Sequence, residues 1–161
     1  MDAKKHAKTN AARILDEMGI HYDLILFDAQ ESDLSAETAA ETVGLPHERV
    51  YKTLVIRGDK TGVMEVCIPA GKELDLKAVA SVSGNKSAAL VPLKEVQKLT
   101  GYIRGGCSPL GGKKNYPVFV FSDAVNHETI AVNAGARGLL FLISPGDLLR
   151  ATSAKLADIA K

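Results

Sequence analysis

Val50-Tyr51-Lys52-Thr53-Leu54-Val55-Ile56-Arg57-Gly58-Asp59-Lys60-Thr61-Gly62-Val63-Met64-Glu65-Val66-Cys67-Ile68-Pro69 contains two β-branched runs around a glycine-bounded turn. It reads as a hairpin, with strands Val50 to Arg57 and Val63 to Pro69 joined by Gly58 to Gly62. Alternation puts Tyr51, Thr53 and Val55 on one face and Lys52, Leu54 and Ile56 on the other. Lys52 therefore shares the more apolar face. On pattern alone, such a lysine is an edge-strand residue whose stem lets the ammonium reach water. The functional reading is an ammonium held in a cleft, where low dielectric strengthens its hold on a carbonyl or phosphate oxygen.

Upstream, Thr9 to Met18 reads as a short amphipathic helix with Ala11, Ala12, Ile14 and Leu15 turned inward, stopped by Gly19. Tyr22 to Phe27 is a strand. Ser35 caps a helix from Ala36 to Val43, which Gly44 and Pro46 close. Downstream, Asp75 caps a helix through Val82, ended by Gly84, and Ala88 to Val91 is a short strand. Pro92 opens a helix to Leu99 from its first turn. Strands follow at Val118 to Phe121, Thr129 to Asn133 and Leu139 to Ile143. Ser144-Pro145-Gly146-Asp147 is a capped helix start with Asp147 at N3; the helix runs to about Ala151, with a further turn from Ala154. Hairpins outnumber βαβ crossovers, so the expected class is α+β, a mixed, partly barrel-like sheet flanked by helices.

Residues 1–161 are expected to form one domain. Apolar residues make up 46% of the chain and charged residues 24%, the balance of an ordinary globular protein. The net charge of +1 excludes a global polycation, so any nucleic-acid contact must use a local patch. The candidates are Lys4, Lys5 and Lys8, then Lys113 and Lys114, then Arg137. Cys67 and Cys107 are not at metal spacing, and His6, His21, His47 and His127 are scattered. No metal and no cofactor are expected. No apolar run reaches eighteen residues and no apolar signal core opens the chain, so the expectation is a cytoplasmic protein with reduced thiols and no membrane contact.

Gly101 to Lys114 holds five glycines and a proline in fourteen residues, which suits neither a helix nor a strand interior. Gly105 and Gly106 let backbone N–H groups approach a ligand, and Pro109 stiffens the turn. Cys107 invites reading as a nucleophile, but no base lies near it in sequence. Ser108 is not in a Gly-x-Ser-x-Gly elbow. Asn133-Ala134-Gly135-Ala136-Arg137-Gly138 is a second glycine turn. As a hairpin it needs no ligand, yet Arg137 can grip a phosphate if the turn lines a cleft.

Together these segments resemble the YbaK/EbsC family of Cys-tRNA(Pro) deacylases, relatives of the editing domain of prolyl-tRNA synthetase. The resemblance rests on Tyr51-Lys52-Thr53-Leu54, Leu74-Asp75-Leu76-Lys77, Thr100-Gly101-Tyr102, Gly105 through Gly111, Lys113-Lys114 and Gly135-Ala136-Arg137-Gly138-Leu139. It implies the prolyl-tRNA synthetase-associated domain type of sheet. It also implies hydrolysis of the ester joining a wrong amino acid to tRNA(Pro), with Cys-tRNA(Pro) as substrate and prolyl-tRNA synthetase as a transient partner. The family's essential lysine maps onto Lys52 and its glycine-proline loop onto Gly105 to Pro109. Lys52, Gly105 and Gly106 are thereby the expected catalytic centre. Thr53, Cys107, Ser108, Pro109, Asn133, Gly135 and Arg137 are the expected substrate contacts.

In the implied mechanism the substrate's own thiol attacks its ester, and no enzyme side chain does. Alternatives with the same fold are an Ala-tRNA(Pro) deacylase and a non-catalytic module that binds tRNA or the synthetase. A thiol hydrolase using Cys107 is a further alternative. The chain departs from the family pattern at Phe27, where a tyrosine is usual, and at Ala136, where a lysine is usual. It departs again at Leu140, where an acid is frequent, and at Cys107, where an aliphatic residue is common.

Overall fold

The computed structural model describes residues 8–161; Lys4 and Lys5 lie outside them. Five helices are present among these residues: α1 (Asn10–Glu17), α2 (Ala36–Val43), α3 (Leu76–Ser83), α4 (Leu93–Thr100) and α5 (Pro145–Thr152). The strands are β1 (Asp23–Leu26), β2 (Val50–Gly58), β3 (Gly62–Pro69), β4 (Ala88–Leu90), β5 (Val118–Phe121), β6 (Ile130–Asn133), β7 (Leu139–Ile143) and β8 (Lys155–Ala157). They form one mixed sheet in the order β1-β7-β6-β2-β3-β5-β8, with β4 also on β2. The expected α+β class with a mixed sheet is what the chain adopts.

The hairpin forms the centre of that sheet. Tyr51 lies opposite Pro69, and the register runs without interruption to Gly58 opposite Gly62. The Asn85 side chain holds the turn, its Oδ1 accepting from the N–H groups of Lys60 (2.8 Å) and Thr61 (2.9 Å). Short polar side chains start four helices, at Ser35, Asp75 and Ser144 as anticipated and also at Thr9, which caps α1 and does not belong to it. Thr9, Ser35, Asp75 and Ser144 each accept a backbone N–H three residues on. Gly44, Gly84 and Gly101 end α2, α3 and α4 in the left-handed conformation.

Two local expectations are corrected and two short turns are added. Pro92 sits at the N-cap of α4, not in its first turn, and the helix runs on to Thr100. His47–Arg49 and Ser122–Asn126 are 3₁₀ turns that no periodicity announces. Beyond α5 there is no further helical turn from Ala154. Ser153 turns left-handed (φ 55°), and Lys155–Ala157 pairs in parallel with β5, which carries Ala157 and Ile159 into the core.

The larger apolar cluster includes Leu15, Ile56, Met64, Ile68, Phe141 and Ile159, with Tyr22 edge-on to Phe141 at 4.9 Å between ring centroids. A smaller cluster holds Ala40, Val50, Ala70, Ala131 and Leu140, with Ala36 and Val43 of α2 packed against it. This second cluster is the floor on which the site is built. Leu140 belongs to it and is 4% exposed, so an apolar residue is what its surroundings require.

Gly138, the last residue of the β6–β7 turn, seats the end of β1 against β7. Its φ is +75°, its carbonyl accepts from Phe27 N–H (3.0 Å), and an added Cβ would stand 2.4 Å from the Phe27 carbonyl oxygen. Gly19 has a similar φ of +68° with open space around it. Gly138→Ala and Gly19→Ala should each lose about 1–2 kcal/mol from the left-handed backbone. Gly138→Ala should lose more because of the clash. Urea unfolding of both variants measures the difference, and equal losses would show that the Phe27 contact relaxes freely.

Candidate active site

β2 changes neighbours in mid-strand. It pairs with β6 only at Val50 and Tyr51, and with β4 only from Ile56 to Gly58. From Lys52 to Val55 its other edge still pairs with β3, but the edge between β6 and β4 has no strand. The Val55 carbonyl points to that side, where it accepts from Val91 N–H (2.9 Å). By the pleat, Thr53 turns its own N–H and C=O toward the same opening.

A cleft of about 430 Å³ occupies the gap. Its floor is Val50 to Val55 with Leu140. One wall is the Phe27–Ser35 segment and α2. The other is apolar, with Leu90, Val91, Leu93 and Val96. Arg104, Gly105, Cys107 and Asn133 close one end.

Lys52 is half-buried in this cleft. Its Nζ lies 3.4 Å from the Ala70 carbonyl oxygen, and no ion pair among the described residues uses it. A cation so placed keeps most of its hydrogen-bonding capacity for an anionic or carbonyl ligand. Lys52 and the glycine loop line one cavity.

Cross-bracing holds the loop in place. Gly105 is left-handed (φ +81°), with Leu34 3.1 Å from where a Cβ would stand. Asn133 Nδ2 donates to the carbonyls of Gly105 (2.9 Å) and Ala136 (3.1 Å). Its Oδ1 accepts from Gly135 N–H (2.7 Å) and Ala136 N–H (3.1 Å). Arg137 Nε donates to the Arg104 carbonyl (2.8 Å). One amide side chain thus ties two glycine turns together with its full set of four hydrogen bonds.

Lys52, Thr53, Gly105, Cys107 and Asn133 all line the cleft. Gly106, Ser108, Pro109, Gly135 and Arg137 stand behind it. Gly106 N–H donates to the Ile103 carbonyl (2.9 Å), so it is already engaged, and the backbone of Ala136 and Arg137 lies 3.2 Å from its would-be Cβ. Ser108 is 1% exposed, its Oγ accepting from Leu110 N–H. Gly135 packs on the Tyr102 ring, and the Tyr102 hydroxyl donates to the Leu110 carbonyl. The sequence reading missed Arg104, which directly precedes Gly105, and Leu34, Leu90 and Leu93, whose contact with the site comes only from long-range packing and leaves no local motif.

Burial pushes the Cys107 thiol up to about 12, and the Glu65 carboxyl nearby adds to the effect, with a Thr100 hydrogen bond opposing both. Burial likewise raises Cys67 to about 12. No neighbouring cation offsets the effect of burial on either thiol. Glu65 is 5% exposed in β3, and burial pushes its carboxyl up to about 7.

Residues 30–151 match the family model described as an aminoacyl-tRNA editing domain. The chain is 42% identical over 156 residues to EbsC of Enterococcus faecalis, provisionally named a Cys-tRNA(Pro)/Cys-tRNA(Cys) deacylase. That match covers 97% of this chain and 95% of EbsC. It is 27% identical over 133 residues to the uncharacterized protein YwhH of Bacillus subtilis, covering 82% of this chain and 84% of that one. Among solved structures, a protein provisionally described as a trans-editing enzyme for prolyl-tRNA synthetase superposes with a TM-score of 0.82 at 26% identity. The match covers 97% of this chain and 99% of that one. The hypothetical protein APE2540 superposes with a TM-score of 0.85 at 25% identity, over 94% and 99% of the two chains. No helix among the described residues is long and apolar enough to cross a membrane.

Two measurements follow from these titrating groups. The folded state favours protonated Glu65, because its carboxyl is raised from the usual 4.5 to about 7. Stability should therefore be highest at low pH with respect to this group, falling as pH rises from about 4.5 through 7. Glu65→Gln should flatten that fall and gain up to about 3 kcal/mol above pH 7 in urea unfolding; an unchanged pH profile would contradict the burial argument. At pH 8 the native thiols should react with a disulfide reagent at least about a hundredfold more slowly than free cysteine. Fast labelling of Cys107 would show an accessible thiolate.

Proposed function

The chain belongs to the aminoacyl-tRNA editing domain family, and on that premise we propose that it is a free-standing deacylase of mischarged tRNA(Pro), with Cys-tRNA(Pro) as its substrate. The observation that carries the reading is Lys52, in no ion pair among the described residues, lining the same cleft as Gly105 and Cys107.

In this reading the terminal aminoacyl ester enters the gap along β2. Lys52 holds the ester carbonyl or the adjacent ribose and phosphate oxygens. The amides of Gly105 and Cys107 face the carbonyl oxygen, since Gly106 N–H is taken by Ile103. The substrate thiol gives up its proton, and its sulfur attacks the ester carbonyl carbon. The carbon–oxygen bond to the ribose breaks, and the ribose oxygen takes a proton. Free tRNA and a cyclic thiolactone leave.

Holding the thiol against its carbonyl can supply roughly 7–11 kcal/mol of the barrier in favourable systems. A well-placed oxyanion donor adds about 2.7–4 kcal/mol. A protonated Cys107 fits this chemistry, because the enzyme's thiol then does not compete with the substrate's. The cleft also suits a small acyl group, with the apolar floor of Val50 and Leu140 beneath it. We place the reaction in the cytoplasm and expect a transient complex with prolyl-tRNA synthetase to deliver the tRNA.

Deacylation of Cys-tRNA(Pro) tests the reading. Lys52→Ala should lose about 10²–10³ in kcat/KM, the scale of a lost transition-state contact, while Cys107→Ala should stay within a few-fold of wild type. Equal rates for wild type and Lys52→Ala would remove Lys52 from the mechanism. Faster cleavage of Ala-tRNA(Pro) than of Cys-tRNA(Pro) would reject the thiol-assisted step.

A further inference from the structure

The molecule is nearly neutral as a whole but not evenly so. Lys98, Arg104, Lys113, Lys114 and Arg137 are all exposed, and none takes part in an ion pair among the described residues. They come from three separate segments that the fold brings around the glycine loop. Lys113 Nζ reaches the Lys98 carbonyl (3.2 Å), and the Lys113 stem packs 3.3 Å from the would-be Cβ of Gly101. Arg137 lies against Arg104 through its Nε (2.8 Å), and Arg104 itself lines the cleft. The chain carries 20 basic side chains against 19 acidic ones. Setting these five aside leaves fifteen against nineteen, so the rest of the molecule is acidic. Lys8, the other described candidate for a basic patch, is paired with Asp16 and does not join them.

The wall of the cleft formed by the 28–33 segment has the other sign. Asp28 and Asp33 line it, and Glu31 is exposed between them. Hydrogen bonds from Thr38 and Ser35 hold the Asp33 carboxyl below its usual range, so it stays charged at neutral pH. A polyanion entering the cleft is attracted on the glycine-loop side and repelled on the 28–33 side.

We propose that the face formed by Lys98, Arg104, Lys113, Lys114 and Arg137 is a phosphate track for the acceptor end of the RNA, fixing the direction from which the strand enters the cleft. This rests on the deacylase reading for the position of the ester and extends it to the phosphates that follow. An acidic protein surface also suits five cations, but RNA is favoured because Arg104 continues the track into the cleft where the terminal nucleotide must sit. The near-neutral total charge thus hides a local site that adds to whatever grip the synthetase supplies.

The test is binding of uncharged tRNA(Pro) across a series of KCl concentrations. Each neutralised phosphate contributes a slope of about 0.7–0.9 in log Kd against log salt, so five contacts give about 3–5. The triple variant Lys98→Gln, Lys113→Gln, Lys114→Gln should lower that slope by about 2–3. A control triple outside the face, Lys77→Gln, Lys86→Gln, Lys155→Gln, should keep it. Thermal unfolding of each variant establishes that it is folded. With charged tRNA the loss should appear in KM and not in kcat.

A wild-type slope near zero, or a face variant that binds like wild type, overturns the proposal. So does loss of polyglutamate binding in the face variant with tRNA binding intact, which would assign the cations to a protein partner. Salt-dependent binding without any cleavage would sink the deacylase reading and leave the track standing.

Discussion

Everything at the site follows from one interruption in backbone pairing. A strand in the middle of a sheet ordinarily has both edges satisfied, because unpaired N–H and C=O groups are costly away from water. β2 meets β6 at its start and β4 at its end, and the two neighbours do not meet each other along its length. Between them, short of the Val55 carbonyl that Val91 N–H satisfies, the Thr53 N–H and C=O meet no strand on that edge. Water or a ligand must satisfy that edge, so the fold pays for the gap with a cleft. Lys52 and Thr53 fall in this interval, and the cleft forms around them.

The Ser108–Leu110 half of the loop that closes the cleft is buried, and its glycine end is braced from outside. Its precision comes from Asn133, whose side chain spends every donor and acceptor on backbone groups of two different turns. An aspartate there would place an oxygen against two carbonyl oxygens, and a leucine would leave four backbone groups unsatisfied. This explains why the missing lysine at Ala136 leaves the turn intact. The contribution of that position is its N–H and its C=O, which any residue but proline supplies.

Local chemistry was legible in the residues. Ser35 with Gly44 bounded α2 to the residue, and the continuous apolar runs at Val118–Phe121 and Leu139–Ile143 gave their strands without error. Lys52 and the Gly105 loop were recognisable as a pair only through the family they resemble, because nothing in either stretch alone says that they meet. The strand β8 was not legible, since Lys155-Leu156-Ala157 is too short for a period and forms only because β5 offers a free edge. Gly106 misled for a related reason. Its lack of a Cβ lets the Ala136–Arg137 backbone approach, whereas the sequence alone suggested approach by a ligand. Glycine pairs report closeness, and the partner must be found in space.

The state of Cys107 makes the chemistry coherent. A cysteine at the end of a cleft is a hazard in an enzyme that handles thioester-forming substrates, because a thiolate there would capture the acyl group and inactivate the protein. Burial first, and the charge of Glu65 second, both oppose ionisation of this thiol. The cation in the cleft would favour a thiolate, but Lys52 is not among the groups that shift Cys107. The same buried carboxyl that costs stability at neutral pH therefore helps keep the loop cysteine inert. A cleft that supplies a cation and backbone amides while silencing its own nucleophile is suited to a substrate that brings one.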